Sequence, residues 1–569
     1  MNLRILVLLL VFSSCSHMNG GGSKALHPDW SKAQATGDKF VVSTQSERAS
    51  QAGKLMIEQG GNIIDAFAAT SFVLAVEEPY ATGIGGGGFL LFRHAATGKV
   101  VAYDFREQAP AKAGDKLFLK ADGSVDAERS KTGAHAAGVP GLVAGILEIH
   151  NLYGRLSREK VIKPAIELAE SGFKVSSGFA YTLKESKDRL SKYRGSRDLF
   201  FKNGEVLKEG DLFQQKDLAE TLRTISKKGR DGFYKGKIAW ATVMYLHKND
   251  GLHTISDFVR YRPKKRDPIK GTYNGYTVYG MPPPSSGGIL VQQILNTLEG
   301  ARLGNGMPFD VDNVHKTTIA MQTAFADRGK YFGDADFIDF PQAKLLSEDW
   351  AAEHRKLLDS KRALSADEIS TAKGFPKEPD HTVHFSMADQ EGNVLASTQT
   401  INGWYGNAMV VPGTGILMNN EMDDFSAAPG ASNLFGAYGS AANKVEGRKR
   451  PLSSMSPTLI FKNGEPRYAL GSPNGTRIIS CVALTTLNLV EYGMSLKNAI
   501  AAPRYHHQWR PDELWVEPYF PTKTKDELAA LGYKIQEKTW GCKVQGVSWS
   551  PGKLSAVADP RGSASALGL

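Results

Sequence analysis

The sequence predicts an α+β fold, with layers of helices packed outside layers of strands. Three observations carry that expectation. Residues 140–260 read as a succession of amphipathic helices rich in Lys and Glu. Residues 267–281 return to strands. From Thr382 onward the pattern is short strands separated by glycine turns, with no internal repeat. The chain has 569 residues, 41% hydrophobic and 22% charged, which is ordinary for a globular protein with a large core. Its 59 glycines point to tight turns or close backbone approaches.

Residues 1–14 read as a signal peptide: basic Arg4, an apolar run over residues 5–12, then Ser13 and Ser14. The run is too short to span a bilayer as a stable anchor. Small residues before Cys15 resemble the bacterial lipobox, in which the cysteine is lipidated; Phe12 stands where Leu is usual. The chain is therefore expected to be exported, periplasmic, and anchored to a membrane through Cys15. Residues 15–36, with Gly20, Gly21 and Gly22, are expected to form a flexible tether.

Residues 50–59 have helical spacing. Gly60, Gly61 and Asn62 end that helix and cap the next, over residues 63–76, which is apolar nearly all round and so buried. The run TGIGGGGFLLF over residues 82–92 contains GxGxxG. Dinucleotide binding needs a strand before the glycines and a helix after; here the order is reversed. Close backbone packing is the expected role. PPPSSGG, residues 282–288, is a stiff turn into a helix over 289–298. Residues 310–335 read as helical, and residues 347–378 as helical and then increasingly polar.

The net charge of +10 comes from Lys and Arg scattered among Asp and Glu. The dense groups, Arg448-Lys449-Arg450 and residues 262–266, lie in loop-like sequence and are expected on a solvated surface, not against nucleic acid. Cys15, Cys481 and Cys542 make no disulfide framework, and whether Cys481 pairs with Cys542 stays open. His506 and His507 are adjacent, but no His, Cys or carboxylate cluster has metal spacing, so neither metal nor cofactor is expected.

The stretch PDHTVHFSMAD begins at Pro379. Val383, Phe385 and Met387 alternate with Thr382, His384 and Ser386, as in a strand. A second strand covers residues 394–400. A loop of Gln390, Glu391 and Gly392, with glycine left-handed, makes the two a hairpin. That register sets Thr382 opposite Thr400, with Cβ atoms about 4.5–5.5 Å apart. A cross-strand threonine pair is common in sheets, so the pattern alone assigns no chemistry.

The blocks HTVHFSMAD, TQTINGWYG, NNEMDDFS, KRPLSSMSPT and GSPNGTR resemble the signature blocks of γ-glutamyltranspeptidases. Upstream, GGNIIDAFAA, EEPYATGIGGGGF, YDFREQAPA, GVPGLVAG and PPPSSGG resemble the large-subunit blocks of that family, in the same order. The resemblance implies a four-layer αββα N-terminal-nucleophile hydrolase. It implies self-cleavage between His381 and Thr382, giving a large subunit, residues 37–381, and a small catalytic subunit, residues 382–569. Thr382 would be the nucleophile, activated by its own freed α-amine, and Thr400 would orient it.

Other roles follow from the same resemblance. Arg106, Ser453 and Ser454 would hold the α-carboxylate of a γ-glutamyl group. Glu421, Asp424 and Asn402 would hold its α-ammonium. Asn474 and Gly475 stand where the family has two glycines whose backbone N–H groups form an oxyanion hole. Phe435 would be the gate of a lid loop over residues 429–449. The implied partners are glutathione and other γ-glutamyl compounds, with amino acids or dipeptides as acceptors. Two rivals remain: a related glutaryl or cephalosporin acylase, which needs no ammonium pocket, and a non-catalytic exported binding lipoprotein.

Overall fold

The computed structural model describes residues 30–303, 307–370, 382–427, 441–539 and 542–569. Its centre is a pair of seven-stranded antiparallel sheets. In chain order their strands are β1 (Gln34–Gly37), β2 (Phe40–Thr44), β3 (Gly87–His94), β4 (Lys99–Asp104), β5 (Lys264–Arg266), β6 (Ile269–Tyr273), β7 (Tyr276–Gly280), β8 (Val383–Asp389), β9 (Val394–Thr400), β10 (Thr458–Lys462), β11 (Glu465–Gly471), β12 (Gln545–Ser550), β13 (Lys553–Ala558) and β14 (Ser565–Gly568). One sheet runs β1-β13-β12-β11-β10-β7-β6 and the other β14-β2-β8-β9-β3-β4-β5. Each sheet mixes strands from before and after residue 382.

Strand alternation explains the layering. In β2 and β3, Phe40, Val42, Leu90 and Phe92 join one apolar core, while Val41, Phe89 and Leu91 join another. A strand buried on both faces needs a layer on each. Helices α1 (Glu47–Glu58), α2 (Ile63–Glu77) and α3 (Leu142–Tyr153) cover the outer face of the second sheet. Helices α4 (Gly287–Leu298), α5 (Val311–Tyr331) and α6 (Arg477–Val490) lie on the side of the first sheet. The result is the expected four-layer αββα sandwich.

Local signals place these elements. Asn62 caps α2 by accepting from the N–H groups of Ile64 and Asp65, and Asp65 accepts in return from Asn62 N–H. Val383, Phe385 and Met387 face the helices, as their alternation requires. His384 lies on the opposite face, fully buried, with Nδ1 2.8 Å from Thr398 Oγ1 and Nε2 3.1 Å from Ser386 Oγ.

Three expectations change, and the open cysteine pairing is resolved. Gln34–Gly37, expected in the tether, instead pairs with β13 and forms an edge of the first sheet. The long helix over residues 347–378 is instead Glu348–Arg355, a 3-10 turn at Lys356–Asp359 and a short helix Ala366–Ile369; residues 371–378 lie outside the described residues. Ser365 and Glu368 form a capping box that starts the last helix afresh. The basic run at 448–450 is not a solvated surface: Lys449 and Arg450 are buried, and Arg450 is ion-paired with Asp104. Cys481, in α6, forms a disulfide with Cys542, with Cα atoms 6.6 Å apart.

Candidate active site

Strands β8 and β9 form the expected hairpin. Gly392 has φ +84° in its loop. Val383 pairs with Gln399, so continuing the register by one residue sets 382 opposite 400. Thr400 is held from below by the glycine-rich turn. A Cβ at Gly86 would lie 2.1 Å from the Thr400 carbonyl oxygen, and one at Gly85 2.1 Å from that of Leu417. Only glycine allows those approaches. Thr400 Oγ1 accepts from Asn402 N–H at 2.8 Å, fixing where the chain leaves the strand. Asn402, left-handed at φ +71°, donates through Nδ2 to the Asn420 carbonyl at 3.0 Å. Asn420 Oδ1 accepts from Gly403 N–H at 2.8 Å. The hairpin exit is thereby tied to the 3-10 turn Glu421–Asp424.

Arg106 lies two residues past the end of β4. Asp104 Oδ1 accepts from its backbone N–H at 3.0 Å, while Asp104 Oδ2 holds Arg266 and Arg450. Arg450 leads into Pro451 and Leu452, whose carbonyls accept from Arg106 Nε at 3.2 Å and Nη2 at 2.8 Å. One carboxylate thus sets both Arg106 and the loop carrying Ser453 and Ser454. The Arg106 guanidinium itself is bound by Glu421 through Nη1 and by Asp424 through Nη2.

Burial opposes the Arg106 charge, but the Glu421 and Asp424 carboxylates outweigh it and raise its pKa. Burial likewise opposes charge on Glu421, and the guanidinium opposes burial. Glu107 is fully buried beside them, and neither carboxyl oxygen has a hydrogen-bond partner among the described residues. Burial pushes its pKa up to about 8. Three carboxyls thus face one guanidinium, and burial outweighs it at both Glu107 and Glu421, favouring their protonated forms.

Nine of the expected residues line one cavity of about 30 Å³: Arg106, Thr382, Thr400, Asn402, Glu421, Asp424, Ser453, Ser454 and Gly475. Asn474 does not line it. It is fully buried at φ +112°, with Oδ1 accepting from Arg477 Nη2 at 2.7 Å. Gly475, at φ +56°, and Thr476 lead into the N-terminus of α6. Cys15, His381 and Phe435 lie outside the described residues. Sequence reasoning missed Arg328, Met455, Thr476 and Ile478, which also line the cavity. Arg328 sits in the last turn of α5, where an arginine looks like any solvated helix charge.

Two threonines at a hairpin mouth, a cation clasped by carboxylates, and paired serines suit nucleophilic acyl transfer on a substrate with a zwitterionic end. The sandwich around them is the fold of the N-terminal-nucleophile hydrolases. It is similar to a cephalosporin acylase from Bacillus halodurans, with a TM-score of 0.83 and 27% identity over 97% of this chain and 99% of that one. The chain belongs to the γ-glutamyltranspeptidase family, whose model matches residues 49–569. It is 42% identical to the glutathione hydrolase proenzyme of Escherichia coli over 92% of this chain and 90% of that protein. The Helicobacter pylori γ-glutamyltranspeptidase structure aligns with a TM-score of 0.55 and 42% identity, covering 57% of this chain and 93% of that one.

Proposed function

We propose that this protein is a self-processing γ-glutamyltransferase and glutathione hydrolase. The observation that carries the reading is the convergence of Thr382, Thr400, Arg106, Glu421, Asp424, Ser453 and Ser454 on one cavity. Cleavage of the His381–Thr382 bond frees an α-amine on Thr382. Its pKa of about 8 leaves an appreciable neutral fraction at pH 7. The amine takes the Thr382 Oγ1 proton as that oxygen attacks the γ-carbonyl carbon. Backbone N–H groups of Asn474 and Gly475 receive the oxyanion. The ammonium returns its proton to the departing amine, leaving a γ-glutamyl ester on Thr382. Water resolves it to glutamate, or an amino acid or dipeptide acceptor resolves it to a new γ-glutamyl amide.

The headgroup is read by opposite charges. Its α-carboxylate goes to Arg106, Ser453 and Ser454, and its α-ammonium to Glu421, Asp424 and Asn402. Arg106 is bound by Glu421 and Asp424, so the substrate enters by parting it from these carboxylates, trading an internal ion pair for two with the zwitterion. The mature protein is exported to the periplasm and held there by a lipid on Cys15; among the described residues no helix is long and apolar enough to cross a membrane.

Intact mass and N-terminal sequencing of the purified protein test the reading. Two chains are expected, the smaller beginning Thr-Val-His-Phe, and Thr382→Ala is expected to stay uncut and inactive. A wild-type chain that remains whole on incubation, or one that hydrolyses glutaryl amides in preference to γ-glutamyl amides, would sink it.

A further inference from the structure

We propose that Arg328 is a positioning and specificity residue: it fixes the Ser454 hydroxyl as a hydrogen-bond donor to the α-carboxylate of the γ-glutamyl substrate. The inference rests on the carboxylate-binding role proposed above for Ser454.

Arg328 is 4% exposed and lines the same cavity as Thr382. Its Nη2 donates to Ser454 Oγ at 2.9 Å, and its Nε donates to Ser286 Oγ at 3.0 Å. Ser286 Oγ passes the connection on, donating to the Ser453 carbonyl at 2.8 Å. One guanidinium therefore braces both serines of the pair, one directly and one through Ser286.

The direction of these bonds matters. A guanidinium only donates, and a serine hydroxyl has one proton and two lone pairs. Arg328 occupies a lone pair of Ser454, so the Ser454 proton points elsewhere. Among the described residues Arg328 is the one hydrogen-bond partner of Ser454 Oγ. The hydroxyl faces the cavity with its proton available, which is what an incoming carboxylate needs. Without Arg328 that lone pair is unoccupied and the hydroxyl proton loses its fixed direction. Arg328 also adds positive charge beside Ser454. Ser286 and Arg328 come from before residue 382, whereas Ser453 and Ser454 come from after it, so the brace spans the proposed cut.

The test compares two amides in each variant: γ-glutamyl 4-nitroanilide and its counterpart lacking the α-carboxylate, 4-aminobutyryl 4-nitroanilide. The ratio of their kcat/KM values cancels differences in the amount of folded, processed enzyme. Wild type should favour the carboxylate-bearing amide. Arg328→Gln should cut that preference about 10–100-fold, the range for a hydrogen bond to a charged group. The loss should appear in KM for the γ-glutamyl amide, with kcat little changed. Ser454→Ala should do the same, and the double variant should be no worse than either alone. Arg328→Lys keeps the charge without the fork, and supplies the ratio if Arg328→Gln does not mature. Equal losses on both amides, or losses that multiply in the double variant, would overturn the proposal. A wild type indifferent to the α-carboxylate would instead overturn the carboxylate reading of Ser454, and this inference with it.

Discussion

Arg106 and Glu421 lie 315 residues apart in the chain and meet as a buried, hydrogen-bonded ion pair. One comes from the segment before Thr382 and the other from the segment after it. The pair lines the cavity and joins the segments at the point where chemistry is proposed. A buried pair of this kind contributes little net stability while both partners remain, but losing one partner leaves the other uncompensated.

Arg106→Ala is expected to destabilise the protein by about 3–5 kcal/mol at pH 7, because Glu421, Asp424 and Glu107 then face one another without a cation. The penalty should shrink near pH 5. Burial already holds the Glu107 pKa up at about 8, and the remaining carboxyls take up protons as the cation goes. Urea unfolding at the two pH values measures this; an equal loss at both would count against the charge argument.

Position 474 should rank Gly ≥ Asn > Ala in stability. Its φ of +112° is beyond the range an L-residue adopts without strain. Asn474 offsets some of that strain through its bond to Arg477, and glycine avoids the strain altogether. Alanine has neither remedy and should cost about 1–3 kcal/mol against glycine. Thermal melting of the two variants decides the order.

Glu78 sets a pH dependence of known sign. It is 5% exposed at the end of α2, accepts from Gln45 Nε2, and burial pushes its pKa up to about 8. The unfolded value is about 4.3. The folded state therefore binds the extra proton, and stability falls as pH rises from about 4 to about 8. Glu78→Gln should flatten that decline, gaining on wild type by about 1–3 kcal/mol at pH 8 and not at pH 4. Parallel decline in both proteins would refute it.

The Cys481–Cys542 bond spans 61 residues of sequence. By the chain-entropy relation, closing such a loop stabilises by about 4 kcal/mol. Replacing both cysteines by serine, or reducing the protein before heating, should lower the melting temperature by several degrees. An unchanged melting curve under reducing conditions would mean that the bond does not form in the mature protein.

Much of the site's frame was legible in the sequence. The alternation from Val383 and the loop at Gly392 fixed the register that sets residue 382 against 400, because a hairpin is a local structure with period two. Asn62 announced α2 as the residue that caps it. The pocket residues were another matter. Arg106, Glu421 and Ser454 looked like any surface polar groups until the family resemblance marked them, since nothing local says which distant chain will face them. Arg450 read as solvated for the same reason: its partner, Asp104, lies 346 residues away. Arg328 carried no signal at all. Its meaning lies in Ser286 and Ser454, which only the folded chain brings to it.

Both sheets interleave strands from the two sides of residue 382. β8 and β9 lie between β2 and β3, and the run β13 to β10 lies between β1 and β7. Neither side of the proposed cut contains a complete sheet, so each would be left with unpaired strand edges and uncovered apolar faces. For the proposed cut this implies an order of events: the intact chain folds as a single-molecule process, and the cut follows. Once cut and unfolded, the two pieces would have to find each other in solution, making recovery second-order and concentration-dependent. Maturation by this route is a one-way step, and the uncut chain is the form in which the fold is encoded.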